Sequence, residues 1–147
     1  MQGVDQMTGE SNCARFIQVG EKFEKKLYLF MLLQLGNQAA ASEAMAQALA
    51  ARYRHCNGYE DEKAFEMCAF GTAFEMCAGL RYAPENRRET CVLQPQMRAR
   101  IAGLQTFARA VVILRFFCRF SAGDTADILH IPVERVRDVC LNWLEAA

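Results

Sequence analysis

The stretch Ser121-Ala122-Gly123-Asp124-Thr125-Ala126-Asp127-Ile128-Leu129-His130-Ile131-Pro132-Val133-Glu134-Arg135-Val136-Arg137-Asp138-Val139-Cys140-Leu141-Asn142-Trp143 carries the clearest local pattern in this chain. Ser121 followed three residues later by Asp124 has the form of a capping box, so a helix starts there. That helix is short, about residues 122–129. His130-Ile131 reads as a turn. Pro132 then opens a second helix, where its missing N–H costs nothing. The second helix is amphipathic: Val136, Val139, Cys140 and Trp143 fall inside, with Glu134, Arg135, Asp138 and Asn142 outside. Ala126 is small where the two helices cross, and Ile131 can plug the space between them. A capped short helix, a tight turn and a second amphipathic helix form the sequence pattern of a helix-turn-helix.

Further upstream the pattern stays helical. Thr106–Phe117 carries Phe107, Val111 and Leu114, and Gln96–Gly103 carries Met97 and Ile101. Between Arg81 and Pro95 periodicity lapses, with two prolines and mixed charge, which marks a domain boundary. The first half holds three more helices. Glu21–Leu35 is apolar on nearly every face, the mark of a buried helix or of one that docks a partner. Gly36-Asn37 ends it. A second helix spans about Ala39–Cys56. The third starts at Asp61, a suitable N-cap. It contains the repeat Ala64-Phe65-Glu66-Met67-Cys68-Ala69 and Ala73-Phe74-Glu75-Met76-Cys77-Ala78. The nine-residue offset turns the second copy to the opposite face, which suits a helix packed between others.

No alternating strand pattern of useful length occurs, so the fold class is all-α: two small helical bundles, the C-terminal one a helix-turn-helix. The expected organisation is a mobile tail over 1–18, a helical domain over 19–82, a linker over 83–95 and a second domain over 96–147. The 147 residues are 52% apolar and 23% charged, which excludes a disordered or fibrous chain. Net charge is zero, yet residues 1–80 carry seven basic and ten acidic groups and residues 81–147 carry ten and seven. Seven cysteines, no C-x-x-C and no secretory signal point to unpaired thiols in a reducing cytoplasm. Ligand spacing for a metal is absent, and no apolar run is long enough for a membrane span. With two histidines, no Gly-rich phosphate loop and no nucleophile elbow, neither catalysis nor a cofactor is expected.

Residues 104–141 resemble the fourth conserved region of bacterial sigma factors, the compact extracytoplasmic-function type above all. Arg109, Ser121, Ala126, Leu129, Ile131, Pro132, Val136 and Arg137 fit that region's pattern. In the first half, Leu27-Tyr28, the Gly36-Asn37 break and Ser42-Glu43-Ala44-Met45-Ala46-Gln47 resemble the second region of the same family, and Phe65 the start of its promoter-melting helix. The resemblance spans about residues 20–141. It implies a transcription initiation factor whose partners are RNA polymerase core, promoter DNA and an anti-sigma protein, with no membrane. Polymerase binding would fall to Leu27, Tyr28, Glu43 and Gln47. DNA binding would fall to Glu134, Arg135, Arg137 and Asp138 of the last helix, together with Arg119. Within that set Arg135, taken as the more outward arginine, is expected on base edges and Arg137 on a flanking phosphate.

The chain also departs from the family. Ala44 replaces an Asp, Cys68 stands near the usual melting Trp, and Arg135, Asp138 and Val139 replace Thr, Ser and Arg in the reading helix. These exchanges leave a second expectation open: a sigma-like regulatory protein that acts through protein contacts without reading DNA.

Overall fold

A computed structural model describes residues 22–53, 61–80, 82–83 and 94–146. All regular structure within them is helical, as the sequence indicates. Residues 22–35 form α1. Then follow α2 (Gln38–Tyr53), α3 (Glu62–Ala78), α4 (Pro95–Ala102), α5 (Thr106–Val112), α6 (Ala122–Leu129) and α7 (Val133–Glu145). The tail over 1–18 and most of the linker, residues 84–93, lie outside the described residues.

Local chemistry sets the helix ends. Gly36 takes φ 85° after α1, a conformation that favours glycine. Asn37 Oδ1 accepts from Ala40 N at 2.7 Å and caps α2. Asp61 Oδ1 accepts from Ala64 N at 2.6 Å and caps α3. Ser121 Oγ accepts from Asp124 N at 3.0 Å, so half of the expected capping box forms. The other half does not, because the Asp124 carboxylate turns to Lys63, 3.0 Å away. Pro132 is the N-cap residue of α7, one position earlier than the sequence reading placed it.

α5 does not run as α-helix to Phe117. Ile113–Phe117 widen into a π-helical turn, closed by Cys118 N donating to Ile113 O at 2.8 Å. Phe120 N then reaches back to Leu114 O at 2.9 Å, with Arg119 at φ 63° between them. Arg119 thus occupies the left-handed position that usually goes to glycine.

The two halves share one hydrophobic core. α1 is buried on all sides over residues 30–35, and α5 with its π turn over Arg109–Leu114. A helix hidden around its whole circumference must be packed from several directions. Phe70 of α3 sits at the junction. Its ring lies 5.8 Å from Phe30, 6.2 Å from Phe23 and 4.9 Å, edge to face, from Phe120. Phe74 meets Phe107 at 5.1 Å. A Cβ on Gly71 would stand 3.4 Å from Ile128 O, so α3 and α6 are in close contact. The Cys118 thiol donates to Lys26 O at 3.7 Å. These contacts pack the two helical bundles against each other.

On α3 the buried residues are Phe65, Ala69, Phe70, Ala73, Phe74 and Cys77. They cover about half the helix circumference. Both phenylalanines of the duplicated hexapeptide are therefore inside. Its cysteines differ, Cys77 buried and Cys68 exposed, because Cys68 falls outside that arc.

Arg109 is the polar centre of the core. It is 6% exposed and has no carboxylate partner among the described residues. Its guanidinium donates to the carbonyls of Leu104 (2.6 Å), Ile101 (3.2 Å), Gln34 (3.3 Å) and Ala102 (3.4 Å). These carbonyls lie at the C-terminal ends of α1 and α4 and in the turn after α4, where helices leave acceptors over; Ile101 O also accepts from Leu104 N at 3.1 Å. The ring of Tyr82 lies 4.1 Å away. Burial lowers the Arg109 pKa and Tyr82 raises it, but an arginine stays charged regardless. Gln34 returns the link by donating from Nε2 to Thr106 O at 3.1 Å.

Candidate nucleic-acid interface

α6 and α7 are joined by three residues, His130 to Pro132, with His130 in the left-handed conformation at φ 56°. Ile131 N donates to Ala126 O at 3.1 Å, closing the turn. Ala126 is buried where the turn folds back, and Ile131 packs against the core, as their sizes suggested.

α7 buries Val136 and Trp143. Val139 and Cys140 are half-buried, where the sequence reading had them inside. The far end is held by Arg100, whose Nη2 donates to Trp143 O at 2.7 Å while the guanidinium stacks 3.8 Å from the indole. This clamp lies on the inner side and leaves the outer side of α7 free.

Glu134, Arg135, Arg137 and Asp138 are all exposed on the first turns of α7. Neither arginine is in ion-pair range of a carboxylate among the described residues. A surface pairing of Arg135 with Glu134 or Asp138 is therefore not formed. At 100° per residue, with the buried side centred between Val136 and Trp143, Arg135 and Arg137 lie on its two flanks, roughly 90–110° away. Glu134 and Asp138 lie opposite the core. This differs from the expectation that Arg135 is the more outward arginine: the acidic pair forms the outer ridge, and one arginine stands on each side of it. Farther along, Leu141 and Leu144 are 55% and 59% exposed.

The other expected site residues fall in different places. Arg119 is exposed, but lies between the π turn and α6 rather than on α7. Leu27 is fully enclosed in the core and offers no surface. Tyr28 is half-buried, and Glu43 and Gln47 are exposed one turn apart on α2. Sequence reasoning missed two ion pairs between helices, Lys26–Glu66 at 2.8 Å within the first half and Lys63–Asp124 at 3.0 Å between the halves. The hydrogen bond with Asp124, more than its charge, raises the Lys63 pKa.

Among the described residues, no group of three or more His, Cys, Asp or Glu could hold a metal ion, and no helix is long and apolar enough to cross a membrane. No protein-family model matches the chain, and no curated protein matches it.

Proposed function

We propose that this chain is a sigma-like transcription initiation factor that joins RNA polymerase core and carries promoter DNA on α7. One observation carries the reading: the first two turns of α7 present two unpaired arginines on either side of an outward pair of carboxylates. A second helix of such a pair enters the major groove by its N-terminal residues. There an acidic side chain accepts from the amino group of cytosine, and arginines reach guanine or phosphate. Glu134 and Asp138 then face base edges, and Arg135 and Arg137 face the two phosphate walls.

Enrichment from a random duplex pool tests this reading. Asp138→Ala should cost about 1–3 kcal/mol on the selected sequence and relax the preference at one position. Arg135→Ala should weaken all duplexes alike and reduce the salt slope by about one. A pool that yields no preferred sequence would remove base reading from the proposal.

Polymerase binding falls to the outer face of α2. Glu43 and Gln47 are adjacent on that face and free of the core. Glu43→Arg is expected to abolish co-purification with polymerase core while helix content stays at the wild-type level. Undiminished co-purification would make this an ordinary solvated surface.

The exposed Leu141 and Leu144 favour a second reading, in which α7 docks a protein instead of DNA. The two readings separate on salt: duplex binding through phosphates weakens steeply as salt rises, and an apolar contact does not.

A further inference from the structure

The two halves enclose an open cleft of about 430 Å³, formed by α1, the start of α3 and the corner that leads into α6. Four cations line it: Lys22, Lys26, Lys63 and Arg119. Three carboxylates line it too: Glu62, Glu66 and Asp124. Two of the cations are engaged. Lys26 pairs with Glu66 at 2.8 Å and lies 4.4 Å from the centre of the Phe120 ring, and Lys63 pairs with Asp124 at 3.0 Å. Lys22 and Arg119 have no ion pair among the described residues. Formal charge in the cleft is therefore one positive unit, which matches a singly charged phosphodiester.

Arg119 adds a second observation. It sits at φ 63°, in the left-handed region where a side chain is strained and glycine is not. The chain nevertheless places a long cation there, exposed at the cleft. Strain of this kind concentrates at ligand-binding positions.

We infer that this cleft takes one backbone phosphate of duplex DNA, with Arg119 and Lys22 as its cations. The inference rests on the reading of α6 and α7 as a DNA-binding pair, in which the first helix crosses the backbone. It extends that reading to the N-terminal half. Asp124, in the first turn of α6, would repel a phosphate, and Lys63 from α3 neutralises it. The first half of the chain thus completes a site on the second. Arg119 and Lys22 contribute affinity without sequence preference, because a phosphate carries no sequence information.

Binding of the full chain to a duplex of scrambled sequence, titrated with salt, tests the inference. Arg119→Gly should lower the salt slope by about 0.9, the value for one phosphate contact. Its melting temperature should hold or rise, because glycine is unstrained at that position. Lys22→Gln, a change at an exposed position with no backbone constraint, should act in the same direction. Asp124→Asn should strengthen binding to every sequence. Unchanged slopes for Arg119→Gly and Lys22→Gln, with Arg135→Ala still lowering the slope, would overturn the cleft site and leave α7 as the DNA contact. A lowered slope for Arg119→Gly with no sequence preference in the wild type would keep the cleft and remove base reading. Failure of the wild type to bind any duplex would overturn both.

Discussion

Arg109→Met lowers the stability of the chain by at least about 3 kcal/mol, the cost of leaving several buried carbonyls without donors at about 1–3 kcal/mol each. This one guanidinium gathers four carbonyls, of which Ile101 O also accepts from Leu104 N, and the bond to Gln34 joins segments 75 residues apart. Methionine has similar length and fills the volume, so the loss reports hydrogen bonding rather than a cavity. Arg109→Lys recovers little of it, because an ammonium has no planar fork with which to reach separate carbonyls. Thermal unfolding by circular dichroism reads the effect as a fall of roughly 10 °C for a chain of this size. A lysine variant that melts with the wild type would show that charge alone suffices and that the four-carbonyl arrangement contributes nothing.

Phe70→Ala is expected to cost about 3–5 kcal/mol, the range for truncating a buried aromatic. The position is fully buried and touches Phe23, Phe30 and Phe120, which come from both halves. Trp143 is the only tryptophan, so its fluorescence follows α7 while far-ultraviolet dichroism follows all the helices. With one shared core the two signals fall together in the wild type, as in a two-state transition. In Phe70→Ala both midpoints should move to lower denaturant. A Trp143 midpoint unmoved by a change in α3 would mean that α7 unfolds on its own and that the junction holds nothing together.

Much of this was legible in the residues, for local reasons. Caps at Asp61 and Ser121, the glycine after α1 and the periodicity of α7 all act within a few positions of one another, so sequence spacing reports them directly. The apolar surround of α1 posed a choice between burial and docking, and Leu27 and Phe30 settle it as burial. What sequence could not carry was the meeting of distant segments. Arg109 reads as one more helix cation until the main-chain carbonyl of Gln34, 75 residues away, accepts a hydrogen bond from it. Asp124 reads as the acid of a capping box until Lys63 claims it. The π turn escaped for a related reason: Ile113–Phe117 carry nothing that forbids an ordinary α-helix, and the extra residue is tolerated through the backbone bond to Cys118. On α7 the acidic ridge was present in the spacing, and only the weight given to Arg135 hid it.

The buried thiols of Cys77 and Cys118 turn the shared core into its own chemical timer. Burial pushes both up to about 12 from an ordinary value of 9.0. At neutral pH each is a protonated, enclosed sulfur, and only a thiolate attacks an electrophile. Cys68, by contrast, is exposed on α3. Any reagent that consumes Cys118 does so at the pace at which α1 parts from the π turn, because its thiol lies against Lys26 O. The sign with pH is set as well. Between about 9 and about 12 the unfolded chain releases these two protons and the folded chain keeps them. Alkaline solution therefore erodes stability across that window, and below it the two sulfurs are inert packing.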